Sequence, residues 1–444
     1  MEASIWNEPA VEGVRSLRVE AGSWALSPDD QWLAWADARA DEAGNTTVWC
    51  AEVSTGRVVF EKRGAAVKAL GWASAEQLVV VRAEAKVNAR AVLFAVPDGG
   101  VLGSVALASL PGSRCKVEAA SGAPVVLVAP VRWHASQRTK EPARRLAYVL
   151  RTDPFEVIAG YDPDESAALP RLPEVRMAVA SLAPDGHRLI VWQGAPSVKG
   201  LLGVAAGAVL SFAWSKGRDA RLAEAGHQVD EVAWLGPDTV ALRSAAGDEL
   251  AHRGDLDVVD LARGVSLYSS VGEDQPDGWM SGRSTVDVHP DRERLLVTGR
   301  EATGATGARA WSGLVRAVDP AAVLATKPRV IASNVEVAMG AAWLPGRVGG
   351  LVLLRARTQR EAELVRLSAL DAEADGASRV AVALAGKKPS GGRVARSPGD
   401  TMLVLRWRVE PENSVKRSST GSRYLDGPLS ATRLAFVDVA RLTG

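Results

Sequence analysis

The sequence of 444 residues predicts an all-β fold built from eight repeated four-stranded units. Three observations predict it: a recurring proline turn, a spacing of about 53 residues between its copies, and short strands rich in Val, Leu and Trp. A βαβ protein would instead show helical periodicity between its strands. We therefore expect a single closed β-propeller domain over residues 1–444, in which each unit is one blade.

The turn is a Pro-Asp or Pro-Gly pair between two apolar runs. Six copies are clear, at 27–30, 183–186, 236–239, 289–292, 344–347 and 397–400. Proline presets φ for the first central position of a type I or II turn and Asp or Gly suits the next, so each copy should join adjacent antiparallel strands. Because the interval from Pro28 to Pro184 is about three repeats long, we expect two degenerate copies, at 72–77 and 119–124. We number the units 1 to 8 in chain order.

Unit 5 illustrates the predicted four strands, at 229–235, 239–243, 256–261 and 265–269. Only 218–226 and 369–375 look helical, and both are short. The apolar stretch 200–214 is too short to cross a bilayer and is interpreted as a buried strand. Seven blades are the alternative, if the weak region 107–160 is an insertion.

The last unit lacks a fourth strand at its end, where the chain stops at Thr443 and Gly444. A spare strand at about 14–19 precedes the first unit. We expect this N-terminal strand to complete the last blade, at about 392–444, because such closure removes two exposed sheet edges.

The pattern Ser-Pro-Asp-[Asp/Gly]-x-x-Leu, seen from Ser27 to Leu33, resembles the turn between the first two strands of WD40-like and TolB-like β-propeller repeats. The resemblance covers nearly the whole chain through variable copies, without a regular Gly-His or a repeated Trp-Asp. It implies a fold and leaves the activity open, because propellers host many unrelated functions.

Composition restricts the class of protein. The chain is 47% apolar and 24% charged with a net charge of +1, which indicates a soluble globular protein and argues against a general coat for nucleic acid. Cys50 and Cys115 do not form a disulfide framework or a CxxC motif, which favours a reducing compartment. The acidic N-terminal segment does not resemble an export signal, so we expect a cytoplasmic protein without membrane insertion.

Motifs for catalysis are absent from the sequence: it contains no GxSxG, no phosphate-binding loop, no HExxH and no zinc-spaced His or Cys pair. We therefore predict no catalytic, metal or cofactor site. Asp287 and His289 are two apart on a first strand and so share one face, which makes them the pair to nominate for acid–base or metal chemistry. A structural role is favoured for them, because His289 also occupies the turn.

Fourteen tryptophans outnumber the other aromatic residues. Most are expected to pack between blades: Trp72, Trp234 and Trp343 end first strands, and Trp35, Trp133, Trp192 and Trp407 end second strands. Trp133 and Trp407 are candidates for exposed contacts, because each is flanked by cations and Trp beside Arg is common in interface hot spots.

Charge is unevenly placed. Loops from second to third strands leave one rim of a propeller, and together the eight loops carry about +10 against +1 for the chain. Two long loops, 132–145 and 406–423, hold most of this charge and are called the basic loops. The candidate partner-binding residues are Arg132, Trp133, Arg138, Lys140, Arg144, Arg145, Arg406, Trp407, Arg408, Lys416, Arg417 and Arg423. The alternative is that these loops are only solvated and flexible, above all at 413–422.

These features predict a non-catalytic scaffold within a larger cytoplasmic, bacterial-type assembly, whose basic rim docks other proteins with acidic or phosphorylated surfaces. Acidic connections at 162–165 and 273–277 lie on the same rim and favour a protein over a nucleic acid. One alternative is a propeller hydrolase or lyase with a channel-mouth site. Another is a nucleic-acid-binding module that uses the same loops with stacking by Trp133 or Trp407.

Overall fold

The structure of the protein is a computed structural model, and it confirms the all-β class: the residues that it describes form strands and turns and no helix. It describes residues 4–7, 13–84, 88–108, 110, 115–131, 133–134, 147–161, 177–196, 205–213, 218–225, 229–244, 256–269, 281–288, 294–300, 308–314, 329–332, 338–345, 351–356, 361–367, 379–383, 390–408 and 432–439.

The strands follow the predicted units. The first half contains β1 (Val14–Ser16), β2 (Ala21–Leu26), β3 (Trp32–Asp37), β4 (Asn45–Glu52), β5 (Val58–Ala65), β6 (Val67–Ser74), β7 (Gln77–Ala83), β8 (Ala89–Ala95), β9 (Val101–Leu107), β10 (Cys115–Ala119), β11 (Val125–Pro130), β12 (Trp133–His134), β13 (Ala147–Thr152), β14 (Phe155–Tyr161), β15 (Met177–Leu182), β16 (Arg188–Pro196), β17 (Ala205–Ala213) and β18 (Arg218–Ala225). The second half contains β19 (Val229–Trp234), β20 (Thr239–Ser244), β21 (Leu256–Asp260), β22 (Val265–Ser269), β23 (Ser281–Val288), β24 (Arg294–Arg300), β25 (Ala308–Leu314), β26 (Arg329–Ala332), β27 (Ala338–Trp343), β28 (Leu351–Ala356), β29 (Glu361–Leu367), β30 (Arg379–Ala383), β31 (Ser390–Arg396), β32 (Met402–Arg408) and β33 (Thr432–Asp438).

Within each unit, consecutive strands pair antiparallel to form a sheet. The strands of unit 5 match their predicted bounds to within one residue. The weak region 107–160 contains most of a four-stranded sheet, with the order β10-β11-β13-β14. The predicted two degenerate turns also join first and second strands, with Ser74 paired to Gln77 at one of them.

One helical prediction was wrong. Residues 218–226 contain β18, which pairs antiparallel with β17. Arg218 lies opposite Ala213, and Ala225 lies opposite Gly207. Cross-strand pairing decided the conformation there, because tertiary context overrides a weak local helix propensity. The strand predicted within 200–214 forms as β17, and its burial stays a prediction. The second helical prediction, 369–375, lies outside the described residues.

The proline turns of units 1, 4 and 8 share one geometry, in which the N–H two residues after the proline donates to the carbonyl of the residue before it. In unit 1 the N–H of Asp30 donates to the carbonyl of Ser27 at 3.0 Å, and in unit 8 the N–H of Asp400 donates to Ser397 at 3.1 Å. Both Asp residues have positive φ, 60° and 57°, a left-handed conformation that Asp and Gly adopt more readily than other residues. The Asp or Gly that stands two residues after the proline, at Asp30, Gly186 and Asp400, therefore has a backbone reason.

Hydrophobic cores lie between consecutive units. Along β11, Val126 and Val128 pack into a cluster with unit 2, whereas Leu127 and Ala129 pack into a cluster with unit 4. Successive side chains of a strand point to opposite faces, so a strand covered on both faces reads as a continuous apolar run. The fourth strand β9 differs, because Val101 and Leu102 are exposed.

Tryptophan side chains link first strands of neighbouring units. The indole N–H of Trp72 donates to the carbonyl of Ala25 at 3.1 Å, and that of Trp234 donates to Ser181 Oγ at 2.9 Å. In unit 7 the indole of Trp343 donates to the carbonyl of Asp287 at 3.3 Å. Each acceptor lies three residues before the turn proline of the preceding unit. The prediction that these tryptophans pack between units is confirmed.

The N-terminal residues join the first and last units. β1 pairs with β33, with Val14 opposite Val437 and Ser16 opposite Ala435. Residues 4–7 lie over the turn between β4 and β5, where the Trp6 indole N–H donates to the carbonyl of Val53 at 3.0 Å.

Candidate protein-interaction surface

Strand order places the connections of every sheet at two ends. The proline turns join first to second strands at one end, called the turn end. Because the strands are antiparallel, the second-to-third connections lie at the opposite end, called the loop end. Both basic loops leave the loop end, one between β11 and β13 and the other between β32 and β33.

Most of the predicted partner-binding residues lie outside the described residues: Arg132, Arg138, Lys140, Arg144, Arg145, Lys416, Arg417 and Arg423. Arg406 lies on β32, and its side chain is exposed. Arg408 ends the same strand, where its backbone pairs with Ser390.

Trp407 is buried, with 7% of its surface exposed. It packs with Val394, Leu405 and Ala342 in the cluster between units 7 and 8. This placement matches the core-packing role expected of most tryptophans and does not match an exposed contact. Arg406, the residue before Trp407, belongs to the opposite face of the strand, because neighbouring side chains alternate.

The backbone at Trp133 reaches the next unit. β12 pairs with β15 of unit 4, with Trp133 opposite Ala178 and His134 opposite Met177. The first basic loop therefore begins against the first strand of its neighbour. Sheet pairing with β15 therefore holds the start of the first basic loop. The sequence did not predict this pairing.

Charged side chains at the loop ends of units 1 and 2 form hydrogen bonds with groups of these same two units. Asp41 accepts from Arg63 and, at 2.9 Å, from the N–H of Asn45, and these bonds lower the pKa of the Asp41 carboxyl, that from Asn45 most. Arg82 donates to the carbonyls of Lys62 and Ala65, each at 2.8 Å. Asp41 thus holds the β3–β4 connection of its own unit, and Arg82 of unit 2 holds the end of β5 in unit 1.

Arg393 is a residue that the sequence analysis missed. It is exposed on the first strand β31 and lies directly opposite Arg406 in the register of the sheet. The summed charge of the loops does not include Arg393, because this residue belongs to a strand. The Gly391-Gly392-Arg393 sequence at the start of that strand was the available signal, since glycine in a strand often marks a bulge.

Asp287, nominated for acid–base chemistry, takes part in contacts between units. Its carboxylate accepts from the N–H of Trp343 at 3.0 Å and lies 3.6 Å from the guanidinium of Arg396. Arg396 also donates to Asp400 at 2.9 Å and to the carbonyl of Val288. Asp287 therefore links units 6, 7 and 8, and its proposed partner His289 lies outside the described residues.

Within the described ranges, no group of three or more His, Cys, Asp or Glu side chains is arranged to hold a metal ion. The same residues contain no helix with the length and apolar character needed to cross a bilayer. Cys50 and Cys115 are both buried free thiols.

Comparisons with known proteins identify the fold. No protein-family model matches the chain, and no curated protein matches it by sequence. Among solved structures, the Dos1 propeller is 11% identical over 98% of this chain and 94% of its own, with a TM-score of 0.52. The WD40 domain of SCAP from fission yeast is 9% identical over 99% of both chains, with a TM-score of 0.54. The chain has a β-propeller fold.

The resemblance of this propeller to WD40-like repeats is thus confirmed at the level of the fold. An oligogalacturonate lyase from Vibrio parahaemolyticus is also similar, with 8% identity over 98% of this chain and 96% of its own and a TM-score of 0.48. At such identities, likeness describes architecture and not activity.

Proposed function

We propose that the protein is a non-catalytic scaffold: an eight-bladed closed propeller that binds other proteins through its loop end, within a larger cytoplasmic assembly. The observation that carries the proposal is the common exit of the two basic loops. Both join second to third strands, so they leave the loop end of their sheets. Long loops on a rigid scaffold are frequent sites of recognition.

Closure into eight blades rests on the strand pairing. Each of units 1 to 7 contains four strands, and unit 8 obtains its fourth from β1 through the pairing with β33. The cluster that contains Trp6, Leu26 and Phe436 packs unit 8 against unit 1. A propeller closed by its N-terminal strand holds its loops in constant relative positions, which a docking surface requires.

The charge of the loop end supports a partner with an acidic or phosphorylated surface. The basic loops carry about +4 and +3 by sequence, and a concentrated positive potential speeds encounter with negative surfaces. The pairing of β12 with β15 supports an ordered start for the first loop.

Charge reversal tests the proposal. We expect Arg144→Glu with Arg145→Glu, and separately Arg406→Glu with Arg408→Glu, to abolish capture of partner proteins from the native host in an affinity purification. The melting temperature should stay within about 1 °C of the unsubstituted protein, since exposed charges contribute little to stability.

The matched control reverses two arginines at the turn end, Arg57→Glu with Arg263→Glu, both on exposed turns between third and fourth strands. These substitutions change the net charge equally and should preserve capture. Equal capture by all variants would refute the role of the loop end. Equal loss in the turn-end control would show that net charge alone governs binding.

A further inference from the structure

The fourth strand of each unit, called its outer strand, ends the sheet on the side away from the first strands. In unit 2 this strand is β9, and among the described strands only β8 pairs with it. Val101 and Leu102, at the start of β9, have 63% and 54% of their surface exposed. An exposed strand edge with apolar side chains is a template for pairing with another strand.

A bulge in β9 distinguishes Leu102 from its counterparts in other units. In units 1, 2, 3 and 5 the pairing of third and fourth strands skips one aliphatic residue of the outer strand: Val59, Leu102, Ile158 and Leu267. Val59 and Ile158 are partly buried against clusters between units, and Leu267 is only 4% exposed. Of these four residues, only Leu102 is left uncovered by its own chain.

One face of β9 is packed and the other is open. Gly103 lies against unit 3, where a Cβ atom at this position would be 2.8 Å from the Cβ of Phe155. Val105 and Leu107, on the same face as Gly103, join the cluster between units 2 and 3. Residues 102, 104 and 106 alternate with them and are exposed. Unit 3 therefore holds β9 in place, while its second face and its outer edge stay accessible.

β9 also lacks the charges found on most outer strands. After its bulge, β5 exposes Glu61 and Arg63. The corresponding residues of β9 are Ser104 and Ala106. The outer strands β14, β18, β26 and β30 contain charged residues too, and β22, which has none, is five residues long against seven for β9. Charges on an edge strand oppose edge-to-edge pairing, and β9 has no such protection.

We propose that two copies of the protein associate through their β9 strands, which pair antiparallel about a two-fold axis. Such an axis brings the same strand of both copies together in opposite directions. Because β9 carries no charge, this pairing opposes no like charges and removes no ion from water. A pairing centred on Ser104 uses the whole strand and places Leu102 of each copy opposite Ala106 of the other. An unrelated partner would need a matching uncharged strand, which a second copy supplies by symmetry.

The proposed interface lies at the edge of the sheet, between its two ends. Antiparallel pairing turns the loop ends of the two copies in opposite directions, so both remain accessible to other proteins. The inference therefore goes beyond the proposed scaffold function and does not depend on it.

Sedimentation velocity of the purified protein over a dilution series tests the association. We expect a dimer that dissociates on dilution. Leu102→Lys and Val101→Lys should each weaken it at least about tenfold, because each substitution places two lysines within one paired edge. The matched control is Val265→Lys, at an aliphatic residue that is 45% exposed on β22, and it should leave the dimer intact.

A cysteine substitution tests the symmetry of the pairing. Ser104→Cys should form a disulfide between two copies on mild oxidation, because an axis at the centre of β9 brings this residue beside its own copy. Ser54→Cys, on the exposed turn between β4 and β5, should not. The two native cysteines, Cys50 and Cys115, are buried and should not contribute.

A protein that is monomeric at every concentration would overturn the proposal. So would a dimer that persists in Leu102→Lys and Val101→Lys, that is lost equally in Val265→Lys, or that does not cross-link through Ser104→Cys. The circular dichroism spectrum of Leu102→Lys should match that of the unsubstituted protein, because the side chain is exposed. Loss of the β-sheet spectrum together with the dimer would assign Leu102 a structural role and overturn the proposal as well.

Discussion

The Ser397 hydroxyl donates to Oδ2 of Asp30 at 2.5 Å, across 367 residues of sequence, and joins the proline turn of unit 8 to that of unit 1. Asp30 has only 5% of its surface exposed. Its carboxylate also accepts from the N–H of Gly399 at 3.0 Å and from the hydroxyl of Thr401 at 2.7 Å. A single buried carboxylate thus connects the first and last units.

Asp30→Asn should lower the free energy of unfolding by about 1–3 kcal/mol, because an amide presents a donor to groups that themselves donate. Asparagine tolerates the positive φ of this position, so the substitution tests the hydrogen bonds and not the backbone. Denaturant unfolding followed by tryptophan fluorescence measures the loss. Asp29→Asn, in the same turn but exposed, should cost less than about 0.5 kcal/mol. Equal effects of the two substitutions would contradict the role assigned to Asp30.

Ser181 connects three units, since its hydroxyl accepts from the Trp234 indole at 2.9 Å and donates to Oε1 of Glu118 at 2.6 Å. Ser181→Ala should cost about 1–3 kcal/mol of stability, because it leaves a buried indole N–H without an acceptor. When Ser181→Ala is combined with Trp234→Phe in a double-mutant cycle, the two losses of stability should be non-additive by at least about 0.5 kcal/mol. Additive losses would show that the two side chains are not coupled. Ser121→Ala, which removes an exposed hydroxyl, is the control.

Trp6 tests the proposed closure of the propeller, because its ring lies edge-on to Phe436 of unit 8, with 5.2 Å between ring centroids, while its N–H donates to the carbonyl of Val53 of unit 1. Trp6→Ala should cost about 3–5 kcal/mol and speed hydrogen exchange at the amides of β33. Trp6→Phe keeps an aromatic ring in place and should recover most of this loss. Unchanged exchange in β33 after Trp6→Ala would mean that the N-terminal segment does not hold the last unit.

The buried thiols should be chemically inert in the folded protein. Burial raises the pKa of Cys50 to about 12 and that of Cys115 to about 11, and the thiolate is the reactive form. At about pH 8 we expect iodoacetamide to label neither cysteine in the native protein and both after denaturation, as measured by mass spectrometry. Rapid labelling of one native cysteine would show that its strand opens locally. Because ionisation is disfavoured in the folded state, the contribution of these thiols to stability is present below pH 9 and is lost as the pH rises through 11 to 12.

Several features of the fold were predictable because they depend on local chemistry. The proline turns require a fixed φ at Pro28 and a left-handed residue at Asp30, and both requirements appear in the sequence as a motif. Strands buried on both faces, such as β11, appear as apolar runs. The prediction failed at 218–226, where the local pattern looked helical and pairing with β17 decided otherwise.

The candidate site was less predictable, since it depends on register. Sequence composition identified the charge of the basic loops and included Arg406. It did not identify Arg393 as the partner of Arg406, nor the burial of Trp407 beside it, because both follow from which residues oppose each other across β31 and β32. Asp287 was chosen as a catalytic candidate for its face of the strand, and its actual partners, Trp343 and Arg396, come from two other units.

By itself, the sequence determined the all-β class, the period of the units and the turns between first and second strands, because turn chemistry and strand alternation act over a few residues. Only the tertiary structure decided how Asp30 meets Ser397, how β1 meets β33 and how Arg393 meets Arg406. These contacts join segments far apart in the chain, and their geometry depends on the packing of whole sheets, which no local pattern encodes.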